Sequence, residues 1–170
     1  PFIYFVNKIL VTGATGFIGS HLCELFVHYG FNVKVFDQYN IYNHHGWLED
    51  SKFKDDFEFV SGDVRDYDSV VNVMKGCSSV IHLAALIGIP YSYLSPLAYI
   101  RTNLEGTYNV LESAKNLGLD QVLITSTILF MPVDIIVSSN WYILLEKYPK
   151  HLFISCLIPV LTLVTDVLVV

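Results

Sequence analysis

The sequence predicts a doubly wound α/β fold, a parallel sheet with helices on both faces. Three observations carry this. Short apolar runs alternate with helical periodicities from Lys8 to Thr127. A glycine turn, Gly13-Ala-Thr-Gly-Phe-Ile-Gly19, joins the first run to the first helix. Aspartates stand at the ends of the second and third runs, the edge at which open α/β sheets meet ligands.

The elements follow in order. Ile9-Leu-Val11 reads as a buried strand. Ile18, Leu22, Leu25, Phe26 and Tyr29 recur at helical spacing, and Gly30 closes that helix. Val33-Lys-Val-Phe36 is the second strand, and residues 38–56 form a long loop with room for a helical turn. Phe57-Glu-Phe-Val60 is the third strand, and Tyr67 to Lys75 a short helix with Asp66 as its N-cap. Ser79-Val-Ile-His-Leu83 is the fourth strand. Leu97, Leu104, Tyr108 and Leu111 mark a long helix ended by Gly118, and Gln121-Val-Leu-Ile-Thr125 is the fifth strand. Strands separated by helices imply right-handed βαβ units. The expected product is a Rossmann-like sheet of about five strands, incomplete, followed by an atypical apolar tail.

Length and composition narrow the class. At 170 residues one domain is expected. A net charge of −6 argues against nucleic-acid binding, which calls for a basic stripe. Cys23, Cys77 and Cys156 show no paired spacing, pointing to reduced thiols and a cytoplasmic protein rather than a disulfide or zinc framework. Pro1 to Val6 shows no basic region or cleavage pattern of a secretory signal. After Thr127 the character changes. All ten glycines lie at or before Gly118, and residues 128–170 also lack alanine and arginine. An α/β domain needs glycine at turns and helix ends. The expected division is therefore a dinucleotide-binding part over 1–127 and a tail over 128–170 without an assigned domain.

The candidate site starts at the glycine turn. Gly13 permits the tight turn, Gly16 lets phosphates approach the main chain, and Gly19 lets the helix pack closely. The helix N-terminus offers unpaired N–H groups to an anion. Thr15, Phe17 and Ile18 belong to the same candidate cofactor-binding set. Asp37 can accept from both hydroxyls of an adenosine ribose and would repel a 2′-phosphate, favouring NAD; its alternative role is a strand-end turn cap. Asp63 and Val64 can meet an adenine, or Asp63 can form an Asx-turn. Leu83, Ala84 and Ala85 can line a cofactor groove or simply pack closely. His44 and His45 are adjacent on a loop without a carboxylate at ligand spacing, so no metal is expected. His82 reads as a satisfied core histidine. Tyr4 and Lys8 have Y-x-x-x-K spacing but precede the first strand, away from the ligand edge.

Together these residues resemble the N-terminal half of an extended short-chain dehydrogenase/reductase, in the NAD-dependent epimerase/dehydratase family. The matching motifs are Thr12-Gly-Ala-Thr-Gly-Phe-Ile-Gly19, Gly62-Asp-Val-Arg-Asp66, His82-Leu-Ala-Ala85, Asn103-Leu-Glu-Gly-Thr-Tyr-Asn-Val-Leu111 and Thr125-Ser-Thr127. Gly46-Trp-Leu48 and the stretch Ala85 to Tyr93 are similar to 4,6-dehydratases of nucleotide-linked N-acetylglucosamine in legionaminic-acid-type pathways. The resemblance implies NAD as cofactor, a nucleotide-sugar substrate and a family-like homodimer. It implies that Asn103 supports an active-site water and lysine and also borders the cofactor. It implies that Thr127 hydrogen-bonds the sugar oxygen, and that Tyr91, Ser92 and Tyr93 face the substrate; their alternative is a plain aromatic loop. The implied reaction oxidises sugar C4, eliminates water across C5 and C6 and returns the hydride, with a tyrosine and a lysine four residues on handling the proton.

The chain departs from that pattern after Thr127. Ile128-Leu-Phe-Met131 stands where Ser-Glu-Val-Tyr-Gly is expected, without the glutamate. Tyr142 is followed at the fourth place by Glu146, and Tyr148 by Leu152. Lys147 is one residue late, which on a helix turns it by about 100°. A shift of reading frame near Thr127 is the hypothesis for these departures: one back-translation of Ile128 to Met131, read in a shifted frame, gives Ser-Val-Tyr, short of the glutamate, and a Y-x-x-x-K in the shifted frame of the encoding DNA would decide it. The expectation is a cofactor-binding half, truncated and inactive. A non-catalytic NAD-binding or interaction protein is the alternative. A membrane anchor over Leu152 to Val170 is disfavoured by Pro159 and Asp166.

Overall fold

The computed structural model describes residues 8–38, 44–126 and 152–156. The chain divides into two compact units, residues 1–122 and 123–170.

In the first unit, β1 (Lys8–Thr12) leads through the glycine turn into α1 (Phe17–His28). β2 (Asn32–Asp37) and β3 (Phe57–Ser61) follow, joined through 3₁₀ turns at Gly46–Leu48 and Lys54–Asp56. Next come α2 (Tyr67–Met74) and β4 (Ser79–His82). The four strands are parallel in the order β3-β2-β1-β4. In the register, Val11 faces Val35 on one side and Ile81 on the other. The order reverses between β1 and β4, and that reversal opens a crevice at the strand C-termini. The Asp120 N–H donates to the Ser78 carbonyl at 3.0 Å, which starts β5 (Gln121–Ser126) beside the foot of β4. The second unit holds the remainder of β5 and, next to it, β6 (Leu152–Cys156). These five residues begin the stretch weighed above as a membrane anchor, and they form a strand. Among the described residues, no helix is long and apolar enough to cross a membrane.

A long helical segment follows β4. It comprises α3 (Ile89–Leu94), α4 (Pro96–Tyr99), a π-helical stretch (Ile100–Glu105) and α5 (Gly106–Leu117), with Gly118 as a left-handed cap. Asp66 caps α2 as expected, accepting from the Asp68 and Ser69 amides.

One core cluster joins Leu10, Phe36 and Val80 of the sheet to Val70, Val73 and Met74 of α2 and Val110 and Ala114 of α5. Strand alternation puts Val11 and Val35 on the opposite face, toward α1. Lys34 is buried on the α2 side. Its Nζ donates to the Val73 carbonyl at 3.0 Å and pairs with Glu58 at 3.3 Å, a cation placed at the C-terminal end of α2.

Two helices turn differently from their apolar periodicity. The buried residues of α1 are Gly19, Ser20 and Cys23, while Leu25 and Tyr29 are exposed. At Gly19 the helix lies so close to the glycine turn that no Cβ fits, and the apolar positions Ile18, Leu22 and Phe26 are half-buried. Leu97, Leu104 and Tyr108 are likewise exposed, and α5 buries Gly106, Asn109, Val110, Leu111, Ser113 and Ala114.

Candidate cofactor site

The crevice at the β1/β4 reversal is built from backbone. Gly13 has φ +68°, and a Cβ there would lie 2.7 Å from the Ala84 nitrogen. Both the turn and the neighbouring strand exit therefore exclude a side chain. Gly19 packs against the turn itself: a Cβ would lie 2.5 Å from the Gly13 carbonyl oxygen and 2.6 Å from Ala14 Cα. Gly16 is the N-cap of α1, with no side-chain cap and no acidic residue in the first turn. Unpaired N–H groups at that helix end suit an anion. Phe17 stands over this end, its ring 5.3 Å from that of Trp47 and edge-on to it, and Ile18 is half-buried beside it.

Asp37 comes to the same place from the end of β2. Its Oδ2 accepts from the Thr15 amide at 2.9 Å and the Thr15 hydroxyl at 2.5 Å, and its Oδ1 from the Gln38 amide at 2.8 Å. The Thr15 carbonyl in turn accepts from the Trp47 amide at 3.0 Å. Thr15 thus ties the glycine turn to both the acid and the loop after it. A small cleft beside Asp37 is lined by Thr15, Gln38, His44, His45 and Phe59. His45 stacks on Phe59, centroids 4.0 Å apart, and His44 Nδ1 accepts from the Gly46 amide. Among the described residues there is no group of His, Cys, Asp and Glu placed to hold a metal. Cys23 lies under α1, its thiol pushed up to about 12, first by burial and then by Asp37 and Glu24.

Asp63 accepts from the Arg65 amide at 2.9 Å, an Asx-turn, and from the Arg65 guanidinium. That guanidinium holds its carboxyl below the usual range. Val64 is buried in the core, against Gly106, and Asn109 Nδ2 holds its carbonyl at 3.0 Å. The turn form weighed for Asp63 is therefore present, and the Val64 side chain is committed to the core.

After β4, the Leu83 and Ala84 amides both point to the Thr12 hydroxyl, each at 3.3 Å. Ala84 is half-buried against the core, and Ala85 is exposed. Asn103 lies in the π-helical stretch, a geometry common at functional sites. Its side chain clasps Leu86, accepting from the amide and donating to the carbonyl, each at 2.9 Å. Tyr91 and Tyr93 are exposed on α3, while the Ser92 hydroxyl donates back to the Ile89 carbonyl at 2.7 Å. Thr127, Tyr142, Lys147 and Tyr148 lie outside the described residues.

Sequence reasoning missed three contributors: the Thr12 hydroxyl, the Trp47 amide and the Thr107 hydroxyl, which donates to the Asn103 carbonyl at 2.7 Å. Thr12 carries a faint signal, a polar residue closing an apolar strand. Thr107 stands one turn beyond Asn103, and the Trp47 amide carries no signal at all.

A parallel sheet whose order reverses beside a glycine turn, with a carboxylate at the end of β2, defines a Rossmann-type domain. The chain belongs to the GDP-mannose 4,6 dehydratase family, whose sequence pattern matches residues 10–129. It is 35% identical over 125 residues to the CapI protein of Staphylococcus aureus, covering 71% of this chain and 37% of that one. It is 32% identical over 124 residues to the UDP-glucuronate 4-epimerase of Thermodesulfobacterium geofontis, covering 69% and 38%. Among solved structures, the UDP-glucose 4-epimerase of Thermus thermophilus in complex with NAD matches with a TM-score of 0.61 at 30% identity, covering 71% of this chain and 37% of that one. The chain thus spans under two fifths of the length of these relatives.

Proposed function

We propose that residues 8–126 bind NAD, as the N-terminal part of a nucleotide-sugar 4,6-dehydratase or epimerase-like protein. The carrying observation is the backbone crevice of Gly13 and Gly19 with the Asp37 carboxylate held beside it by Thr15. A side chain at Gly13 would collide with the Ala84 backbone and one at Gly19 with the turn itself, so the turn and helix could not hold the shape that leaves Gly16 open to a pyrophosphate. Asp37 Oδ1 keeps a lone pair for a ribose hydroxyl, and the carboxylate sets a negative charge where a 2′-phosphate would lie. The NAD bound to the Thermus thermophilus relative supports the same reading. NAD, when bound, supplies a two-electron hydride acceptor. The residues of this chain hold and orient it: Gly13, Gly16 and Gly19 the pyrophosphate; Asp37 the ribose; Asp63 the adenine side, with Val64 fixing it from the core; and Leu83, Ala84, Ala85 and Asn103 the groove wall.

The substrate in this reading is a nucleotide sugar, met by Tyr91, Ser92, Tyr93 and Thr127, and the compartment is the cytoplasm, in keeping with free Cys23 and Cys77. Residues 128–170 lack the glutamate and the Y-x-x-x-K pair, so in this reading the 170 residues hold the cofactor without supplying the proton-transfer groups, and a shifted reading frame is the hypothesis for that tail. Calorimetry decides the matter. NAD is expected to bind, NADP to bind more weakly, and NAD reduction with a nucleotide sugar to be undetectable. No NAD binding at millimolar cofactor sinks the proposal.

A further inference from the structure

We infer that His82 is a positioning residue, locked as its Nε2–H tautomer in a one-way hydrogen-bond chain from the exit of β4 to Asn103. The inference rests on the NAD reading for its consequence and on proton counting for its direction. The Thr107 hydroxyl has one hydrogen, donated to the Asn103 carbonyl at 2.7 Å. Toward His82 Nε2, 3.1 Å away, that oxygen can only accept, so Nε2 carries the proton. A neutral imidazole then has a bare Nδ1, which accepts from the Thr12 hydroxyl at 2.7 Å. The Thr12 oxygen is left to accept the Leu83 and Ala84 amides. The opposite tautomer requires Thr107 to donate to Nε2 and abandon Asn103.

The ends of this chain are the two walls of the groove. At one end, Leu83 and Ala84 pass against Gly13. At the other, Asn103 clasps Leu86 through both polar atoms of its side chain. The polypeptide from Leu83 to Leu86 is therefore held twice, directly by Thr12 and indirectly through His82, Thr107 and Asn103. His82 is only 3% exposed, and its burial pushes its pKa down to about 4, keeping the ring neutral. Asn103 sits where the helix widens, and the Thr107 hydroxyl reaches its carbonyl from one turn on.

Two measurements on the 170-residue chain test this. The nitrogen spectrum of labelled histidine, with His82 assigned by its loss in H82Q, is expected to show one Nε2–H tautomer at neutral pH. An Nδ1–H form or an averaged pair overturns the inference. NAD titration is the second measurement. T107V, which keeps shape and loses the hydroxyl, is expected to bind about tenfold more weakly. T107S should stay within about twofold of the parent, since one hydrogen bond is restored. H82N keeps an acceptor for Thr12 and lacks the Nε2 donor, so H82N/T107V should bind no more weakly than the worse single variant. Parental affinity in T107V, or additive losses, overturns the inference. If the parent chain does not bind NAD, the functional reading falls, and the spectrum alone still decides the relay.

Discussion

The glycine-turn side of the crevice and the α3–α5 side are built on opposite principles. On the first, from Thr12 to Asp37, the polar groups named above are tied to one another at 2.5–3.3 Å, and Gly13 and Gly19 leave no room for a Cβ. On the second, apolar side chains face outward: Ile87 is 86% exposed, Tyr93 and Leu94 82% each, and Leu97 63%. The difference teaches that the glycine-turn side is closed by polar ties between the turn and the end of β2. On the α3–α5 side the polar ties, such as Asn103 to Leu86, run inward and leave these apolar side chains outside.

The comparison can be broken most forcefully at Gly13. Gly13→Ala puts a Cβ at a left-handed φ and against Ala84, and should cost about 3 kcal/mol in urea unfolding and abolish NAD binding. A variant that folds and binds like the parent would mean the glycine-turn side is looser than drawn. Next comes acid. The His82 pKa lies at about 4 against 6.5 for a free ring. The unfolded chain therefore takes up a proton below 6.5 that the folded chain refuses. The associated stability is fully present above pH 6.5 and is lost as pH falls toward 4, by about 3 kcal/mol at most. The fall in urea midpoint between pH 7 and 4.5 should be smaller in H82N than in the parent.

Asp37→Asn should weaken NAD about tenfold while sparing NADP, narrowing the preference between them in paired titrations. Thr15→Val should reproduce part of that loss, with Thr15→Ser close to the parent, since the hydroxyl bond to Asp37 is what changes. The smallest effect belongs to the other side. Leu94→Ser should leave the unfolding midpoint within about 0.5 kcal/mol and reduce self-association in light scattering. A large destabilisation there would show that the outer face is packed after all.

Much of the fold was legible because strand and helix periods are local. The five strands from Lys8 to Ser126 lie where the apolar runs placed them, Asp66 caps α2, and Gly118 ends α5. The burial of α1 was not legible. Leu25 and Tyr29 follow the helical period yet face solvent, because the approach of helix to turn selects Gly19, Ser20 and Cys23. The same limit applied at the site. The glycine turn and Asp37 could be read from spacing. That Asp63 is held by Arg65, and that Val64 belongs to the core, depended on packing.

By itself, then, the sequence determined the order of elements, the glycine turn, the acid at the end of β2 and the break in character after Thr127. Each is a matter of residue type and short-range spacing. Only the tertiary structure decided that Thr15 grips Asp37 and that His82 joins Thr12 to Thr107. Those contacts join residues 22, 70 and 25 positions apart. Spacing cannot encode which hydroxyl donates to which ring nitrogen. The sheet brings the groups together, and the count of protons then leaves one arrangement.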